Sequence, residues 1–406
     1  MKKIQIVFHD AGGGHRNAAV ALQAMAKAQK RDWDVELVQF QELTDRLDVL
    51  RKVTGIRIQE QYNTLLRNGW TLGSAYLLRV LQWTIRIFHG PLVKLLEGFW
   101  KEHPADLLVS VIPHFNREIA KSWEKVYPGR PFVTVITDLA DFPPRFWIEP
   151  AKNQIVIAGT EKAVEQARAF GKDDAHAFGV SGMVLRPEFY QESAVDPAAV
   201  KRELGLREDL PTAMVLFGGF GSKVMYEITE RIDAARLPVQ LILICGKNEK
   251  LAARLKAKKW NITASVIGFT KEVHKLMRVA DFLIGKPGPG SIAEAMQRGL
   301  PVLVECNSWT LPQERFNAEW VTEKKVGVVL KSFEDVVAGV QQMLDPAKLA
   351  ESKKNVAAQN NRAIFEIMEI WGTLLDTHRT GSNAKRVPDA VGVGPNEHDN
   401  LQNFND

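Results

Sequence analysis

The sequence predicts an α/β protein built from two doubly wound, Rossmann-like sheets. Three observations carry this. Short runs rich in Val, Ile and Leu alternate with helix-period segments, the pattern of parallel strands covered on both faces. The 406 residues exceed one ordinary core, and at roughly 150 residues per domain they suggest two. The loops rich in Gly, His, Asp or amide residues follow strands, where open α/β sheets gather a ligand.

Taken in order, the strands expected are Ile4–Phe8, Val35–Phe40, Leu107–Ile112, Phe132–Thr137 and Gln154–Ala158, then Ala213–Phe217, Val239–Cys245, Ala264–Ile267, Phe282–Ile284, Val302–Glu305 and Val326–Leu330. In the first half, the loops Asp10–His15, Pro113–Asn116 and Asp138–Pro144 follow strands. In the second half, Gly218–Ser222, Gly268–Thr270, Lys286–Ser291 and Cys306–Asn317 do so. Two such rims facing each other would make a cleft. Pro187 and Pro197 bracket an aperiodic polar stretch, which separates a first domain (1–182) from a second (183–375). Residues 376–406 are polar and poor in large apolar side chains, and are expected to be disordered.

Apolar content of 45% and charged content of 25% are ordinary globular usage. A net charge of +5 suits an anionic ligand or a membrane surface and is too small to argue for nucleic acid. Cys245 and Cys306 lie in or beside apolar runs, so buried reduced thiols are expected rather than a disulfide. The chain enters a strand at Lys3, which leaves no room for a signal peptide, and no window approaches about 18 uninterrupted apolar residues. A cytoplasmic protein without a transmembrane helix is the expectation.

The most informative segment is Ile284-Gly285-Lys286-Pro287-Gly288-Pro289-Gly290-Ser291-Ile292-Ala293-Glu294-Ala295. It reads as strand, Gly/Pro turn and helix N-terminus, and the unpaired N–H groups and dipole of such a terminus favour an anion. Gly288 and Gly290 let the backbone approach a diphosphate, and Ser291 reads as N-cap and phosphate ligand. Glu294, three residues later, would take two ribose hydroxyls. The same Ser291–Glu294 spacing also fits a plain capping box. Gly218-Gly219-Phe220-Gly221-Ser222 offers a second phosphate contact in the same half. Gln313, Glu314 and Asn317 have the paired donors and acceptors that read sugar hydroxyls, or else form a solvated helix start.

In the first half, Gly12-Gly13-Gly14-His15 follows the first strand and leads into a helical run. It does not match G-x-G-x-x-G, so a dinucleotide cofactor is weakly supported. Gly13 and Gly14 permit close approach of a substrate, and the helix dipole would lower the pKa of His15, suiting a neutral general base. Asp138 stands at a strand end. It is a base, a carboxylate orienting His15, or a cap for the next element. No Cys/His cluster, H-E-x-x-H or G-x-S-x-G is present, so no metal or organic cofactor is expected. Between Arg46 and Lys101, nine Lys/Arg stand against three Asp/Glu, with Trp70, Trp83 and Trp100. A cationic, Trp-bearing amphipathic segment suits an anionic bilayer surface, while packing within the domain or a dimer contact is the alternative.

These motifs resemble the processive and monogalactosyl-type diacylglycerol glycosyltransferases and, more distantly, the peptidoglycan enzyme that adds N-acetylglucosamine to lipid I. The resemblance covers roughly residues 1–372. It rests on Gly12–Arg16, Thr137-Asp138, Gly182–Phe189, Gly218–Gly221, Gly288–Ala295, and Gln313-Glu314 with Asn317. It implies a GT-B fold, with acceptor in the first domain, UDP-sugar in the second, and a last helix (about Lys353–Leu375) crossing back onto the first. It further implies an inverting, metal-independent hexosyltransferase that uses a UDP-sugar and a membrane lipid, diacylglycerol foremost, on the cytosolic face of a membrane. A polyprenyl-linked or non-lipid acceptor and a non-catalytic nucleotide-sugar-binding protein are the alternatives. On this reading Gly219, Gly221, Ser222, Gly288, Pro289, Gly290 and Ser291 hold diphosphate. Gly268 and Phe269 meet uracil, Glu294 holds ribose, and Gln313, Glu314 and Asn317 face the sugar. Gly13, Gly14, Pro113 and His114 face the acceptor. The chain departs from the family pattern at two loops. It has Pro143-Pro144 where relatives carry a His after Thr-Asp, and Pro113-His114 where they have His-Pro.

Overall fold

The computed structural model describes residues 1–10, 13–44, 89–191 and 196–380. These residues divide into two compact units. One gathers the described chain up to Pro187 with the C-terminal helix from Asn361 onward, and the other runs from Glu188 to Asn360.

The first unit is a six-stranded parallel sheet in the order β2-β1-β3-β4-β5-β6. Its strands are β1 Lys2–Phe8, β2 Trp33–Gln39, β3 Leu107–Ser110, β4 Phe132–Val135, β5 Gln154–Ala158 and β6 Ala177–Gly179. β3, β4 and β5 are buried at every position, which explains their unbroken apolar sequence. The flanking helices are α1 Gly14–Ala28, α2 Phe40–Thr44, α3 His89–Glu102, α4 Asn116–Val126 and α5 Glu161–Ala169. α1 turns Ala18, Leu22 and Met25 inward at spacings of one helical turn. The short edge strand β6 escapes the sequence reading because three residues carry too little periodicity.

The second unit repeats the plan in the order β12-β11-β10-β7-β8-β9, again all parallel. Its strands are β7 Thr212–Leu216, β8 Gln240–Ile244, β9 Ala264–Ile267, β10 Phe282–Gly285, β11 Val302–Glu305 and β12 Gly327–Leu330. Its helices are α6 Pro197–Glu203, α7 Val224–Ala234, α8 Glu249–Ala257, α9 Val273–Leu276, α10 Pro289–Gln297, α11 Pro312–Glu323, α12 Val336–Leu344 and α13 Pro346–Ala357. Cys245 is buried and Cys306 half-buried, both as free thiols, and burial pushes Cys245 up to about 11.

Three expectations need correction. The last helix is not continuous from Lys353 to Leu375: α13 stops at Ala357 and α14 restarts over Ala363–Thr380. Asn361 makes the restart, because its Oδ1 accepts from Ala363 N at 3.0 Å while its Nδ2 donates to the Met183 carbonyl at 2.8 Å. α14 also continues through residues 376–380, so the expected tail does not begin at 376. Finally, most of the basic Arg46–Lys101 segment and residues 381–406 lie outside the described residues, but 89–101 belong to α3. There Leu92, Leu96 and Trp100 are buried in the core, and the Trp100 indole donates to Ser122 Oγ at 2.9 Å. For that stretch the packing reading replaces membrane contact. Among the described residues no helix is long and apolar enough to cross a membrane.

Candidate active site

In each sheet the strand order reverses at one place, and neighbouring loops there diverge to opposite faces. In the first unit the reversal lies between β1 and β3. The loop after β1 carries His9 and leads to His15, and the loop after β3 carries Pro113 and His114. Gly12 lies outside the described residues. Gly13 caps α1 with φ 87°, a left-handed value glycine accepts without strain, and this delivers His15 at the start of the helix. His15 Nδ1 lies 3.1 Å from Thr137 Oγ1, and its ring lies 5.7 Å from Trp147. Burial lowers its pKa to about 4, opposed by the hydrogen bond to the Val111 carbonyl. The ring is neutral at pH 7.

His9 and His114 share this environment. Burial first, and then the charge that His15 would carry, push His9 down to about 3 and His114 down to about 4. His9 stands edge-on to Phe40 and Phe115. His114 has φ 69°, unusual outside glycine, and is held by its N–H to the Phe146 carbonyl (2.7 Å) with its ring edge-on to Phe146. Its Nδ1 is buried without a hydrogen-bond partner.

The partner seen at His15 Nδ1 is thus the Thr137 hydroxyl, where Asp138 had been one candidate. Asp138 is buried and accepts from the Trp147 indole at 2.8 Å. Trp147 is positioned by Asp141, whose carboxylate accepts from the Trp147 N–H at 2.6 Å and the Arg145 N–H at 2.9 Å. Burial raises Asp141 to about 6. The loop 141–147, which includes the cis Phe142–Pro143 peptide, therefore sets one indole between Asp138 and His15. Sequence reasoning singled out neither Trp147 nor His9. The place of His9 directly after β1 was the available signal.

In the second unit the reversal lies between β7 and β10, so Gly218–Ser222 and Lys286–Gly288 emerge side by side. The helix after β10 starts earlier than expected: Gly288 is the N-cap, Pro289 is N1, and Ser291 already lies in the first turn. Ser291 is therefore not the N-cap, and the capping-box reading with Glu294 fails. Pro at N1 explains the shift, since its fixed φ favours helix initiation. The N–H groups of Gly290 and Ser291 are left without intrahelical acceptors. Glu294 is half-buried one and a half turns in, and Gln313 and Glu314 open α11. Glu314 Oε1 lies 2.5 Å from Lys286 Nζ, and Asn317 Nδ2 donates to the Pro287 carbonyl at 2.7 Å.

On the other side, Gly221 has φ 59°, and a Cβ there would fall 2.7 Å from the Cys245 carbonyl oxygen. Only glycine fits that approach. The Gly219 carbonyl accepts from Lys247 N at 2.8 Å, and Ser222 Oγ accepts from Val224 N at 3.3 Å. Lys247 Nζ lies 5.9 Å from the Phe220 ring and 5.6 Å from the Phe269 ring, and Phe269, after Gly268, is 60% exposed. Lys286 and Lys247 are the residues the sequence reading passed over here. Among the described residues no group of three or more His, Cys, Asp or Glu could hold a metal.

A family model described as the glycosyltransferase family 28 C-terminal domain matches residues 213–367. A probable chloroplastic monogalactosyldiacylglycerol synthase of Nicotiana tabacum is 30% identical, over 93% of this chain and 70% of that protein. Monogalactosyldiacylglycerol synthase 2 of Arabidopsis thaliana is 29% identical, over 82% and 71% respectively. In fold, the chain is similar to MurG of Acinetobacter baumannii (TM-score 0.58, 13% identity, 91% of this chain and 99% of that one). It is likewise similar to S. aureus MnaA solved with UDP (TM-score 0.59, 14% identity, 97% and 100%). Two parallel sheets with ligand-type loops at their switch points, together with these relatives, make the chain a GT-B glycosyltransferase belonging to the monogalactosyldiacylglycerol synthase family.

Proposed function

We propose that the protein is an inverting, metal-independent transferase that moves a hexose from a UDP-sugar to the hydroxyl of a membrane lipid, diacylglycerol first. The observation that carries this is the helix beginning at Pro289, where the Gly290 and Ser291 amides are gathered with Lys286, Glu314 and Asn317. An array of fixed amides at a helix N-terminus stabilises a departing diphosphate as a divalent cation would elsewhere. The acceptor oxygen bonds to the anomeric carbon as the bond to the diphosphate breaks. That electron pair leaves with UDP, and His15 takes the hydroxyl proton. One displacement needs one base and leaves the sugar inverted. The neutral, half-buried imidazole of His15 suits this role, and Asp138 acts through Trp147 to hold its surroundings.

Glu294 would hold ribose and Phe269 would meet uracil. Gln313, Glu314 and Asn317 would read the sugar, and Gly13, Gly14, Pro113 and His114 would meet the acceptor. The relatives' names put galactose and diacylglycerol first among substrates. Acting on such a lipid calls for a peripheral position on a membrane, here the cytosolic face, with the basic Arg46–Arg86 stretch as contact. Crossing a panel of UDP-sugars with diacylglycerol and polyprenyl acceptors, with glycolipid read by mass spectrometry, tests the reading. Product from UDP-galactose and diacylglycerol is expected. Tight UDP binding without turnover on any acceptor would refute catalysis, and product from polyprenyl acceptors alone would replace the lipid. Sedimentation with anionic but not zwitterionic vesicles, weakened by salt, is the expected membrane result.

A further inference from the structure

We propose that Lys286 and Glu314 form a displaceable ion pair that couples recognition of the donor's diphosphate to recognition of its sugar. The inference rests on the donor reading of the second unit. Glu314 is only 7% exposed, yet Lys286 Nζ sits 2.5 Å from its Oε1 and keeps 43% of its side chain exposed. The pair lies against the anion-type helix terminus. A Cβ on the N-cap residue Gly288 would stand 3.4 Å from Lys286 Cε and 3.8 Å from both Nζ and Glu314 Oε1.

A second observation points to a ligand at the same place. Asn317 is wholly buried and its Nδ2 is bonded to the Pro287 carbonyl, but its Oδ1 is buried without a partner. Buried acceptors are nearly always satisfied, so this one marks a position for a donor such as a sugar hydroxyl. Glu314 and Asn317 lie three residues apart on α11, on one helical face.

A diphosphate at the terminus attracts the exposed Lys286 ammonium away from Glu314. The buried carboxylate then needs new donors, and the hydroxyls of an attached sugar supply them. UDP without sugar would leave Glu314 uncompensated, which is unfavourable for a buried charge. The pair thereby favours the intact donor over the released product.

Titration calorimetry on the full chain with UDP and with UDP-galactose tests this. Lys286→Gln should weaken UDP binding roughly 10- to 100-fold, the scale of a charge-assisted hydrogen bond. Glu314→Gln should tighten UDP by roughly 2- to 5-fold by releasing Lys286, while weakening UDP-galactose relative to UDP. The Lys286→Gln/Glu314→Gln double variant, which leaves no buried charge, should bind UDP as poorly as Lys286→Gln. Recovery of UDP affinity in the double variant would show that Lys286 only neutralises Glu314, and would overturn the inference. Unchanged UDP affinity in Lys286→Gln would do the same while leaving the donor site standing. Wild-type protein that bound neither ligand would overturn the donor reading and this inference with it.

Discussion

The two switch points share a topology and differ in chemistry. Between β1 and β3 the loops carry His9 and His114 and the start of α1 carries His15, with Asp138 and Asp141 behind them, and burial displaces the pKa of every one of these imidazoles. Between β7 and β10 the loops carry glycines, first-turn amides and one ion pair. On the proposed function, the first site would move a proton and the second would hold an anion with backbone. One scaffold serves both ends because it only places loops at the carboxyl ends of strands. The residues on those loops decide the task.

The comparison breaks most sharply at His15. His15→Ala should lower turnover by roughly 100- to 10,000-fold, the range for loss of a general base, with UDP affinity unchanged. Steady-state kinetics beside calorimetry reads both, and near-normal turnover would remove proton transfer from the first switch point. Next comes Ser291→Asp, which puts a carboxylate into the first turn of α10. A structural helix start would welcome it by roughly 0.3–1 kcal/mol. A diphosphate site should instead lose roughly 10- to 100-fold in UDP affinity. A variant with a raised melting temperature and intact UDP binding would deprive the second switch point of its anion.

The pH dependence sharpens the contrast further. With His15 held at about 4, the acid limb of kcat/KM should fall near pH 4 rather than near the ordinary histidine value. His9 behaves similarly for stability. Its folded pKa of about 3 lies below the unfolded value of 6.5, so the unfolded chain binds more protons between these values and stability drops as pH falls. His9→Phe lacks that loss. Relative to wild type, it should gain roughly 1–2 kcal/mol between pH 6.5 and 5 in denaturant titrations, whereas a gap independent of pH would mean that His9 titrates normally. The smallest effect belongs to Arg31→Ala. It removes the surface ion pair with Glu369 that joins α1's C-terminal side to α14, and should cost under about 1 kcal/mol without changing turnover.

Much of this was legible along the chain. Uninterrupted apolar runs gave strands such as Gln154–Ala158 and Val302–Glu305 at their observed bounds, because burial on both faces leaves no room for polar alternation. The glycine turn before α10 and the position of His15 could be read because glycine and proline act locally on φ and ψ. Where two local signals competed, the reading went astray. Ser291 looked like an N-cap, but Pro289 started the helix earlier. Likewise the single last helix that the family resemblance implies from Lys353 to Leu375 is broken where Asn361 bonds to Met183, far away in sequence.

The sequence by itself therefore determined the two parallel sheets, the rims on which functional loops sit, and the residue types available there. Those follow from burial patterns and backbone preferences, which act over a few residues. Only the tertiary structure decided the partners. Thr137 rather than Asp138 stands at His15 Nδ1, Trp147 joins Asp138 to the His15 ring, and Lys286 meets Glu314 from another loop. Only folding also lowers three histidines together, because a pKa depends on the water excluded and the charges nearby, and both are set by chain segments distant in sequence.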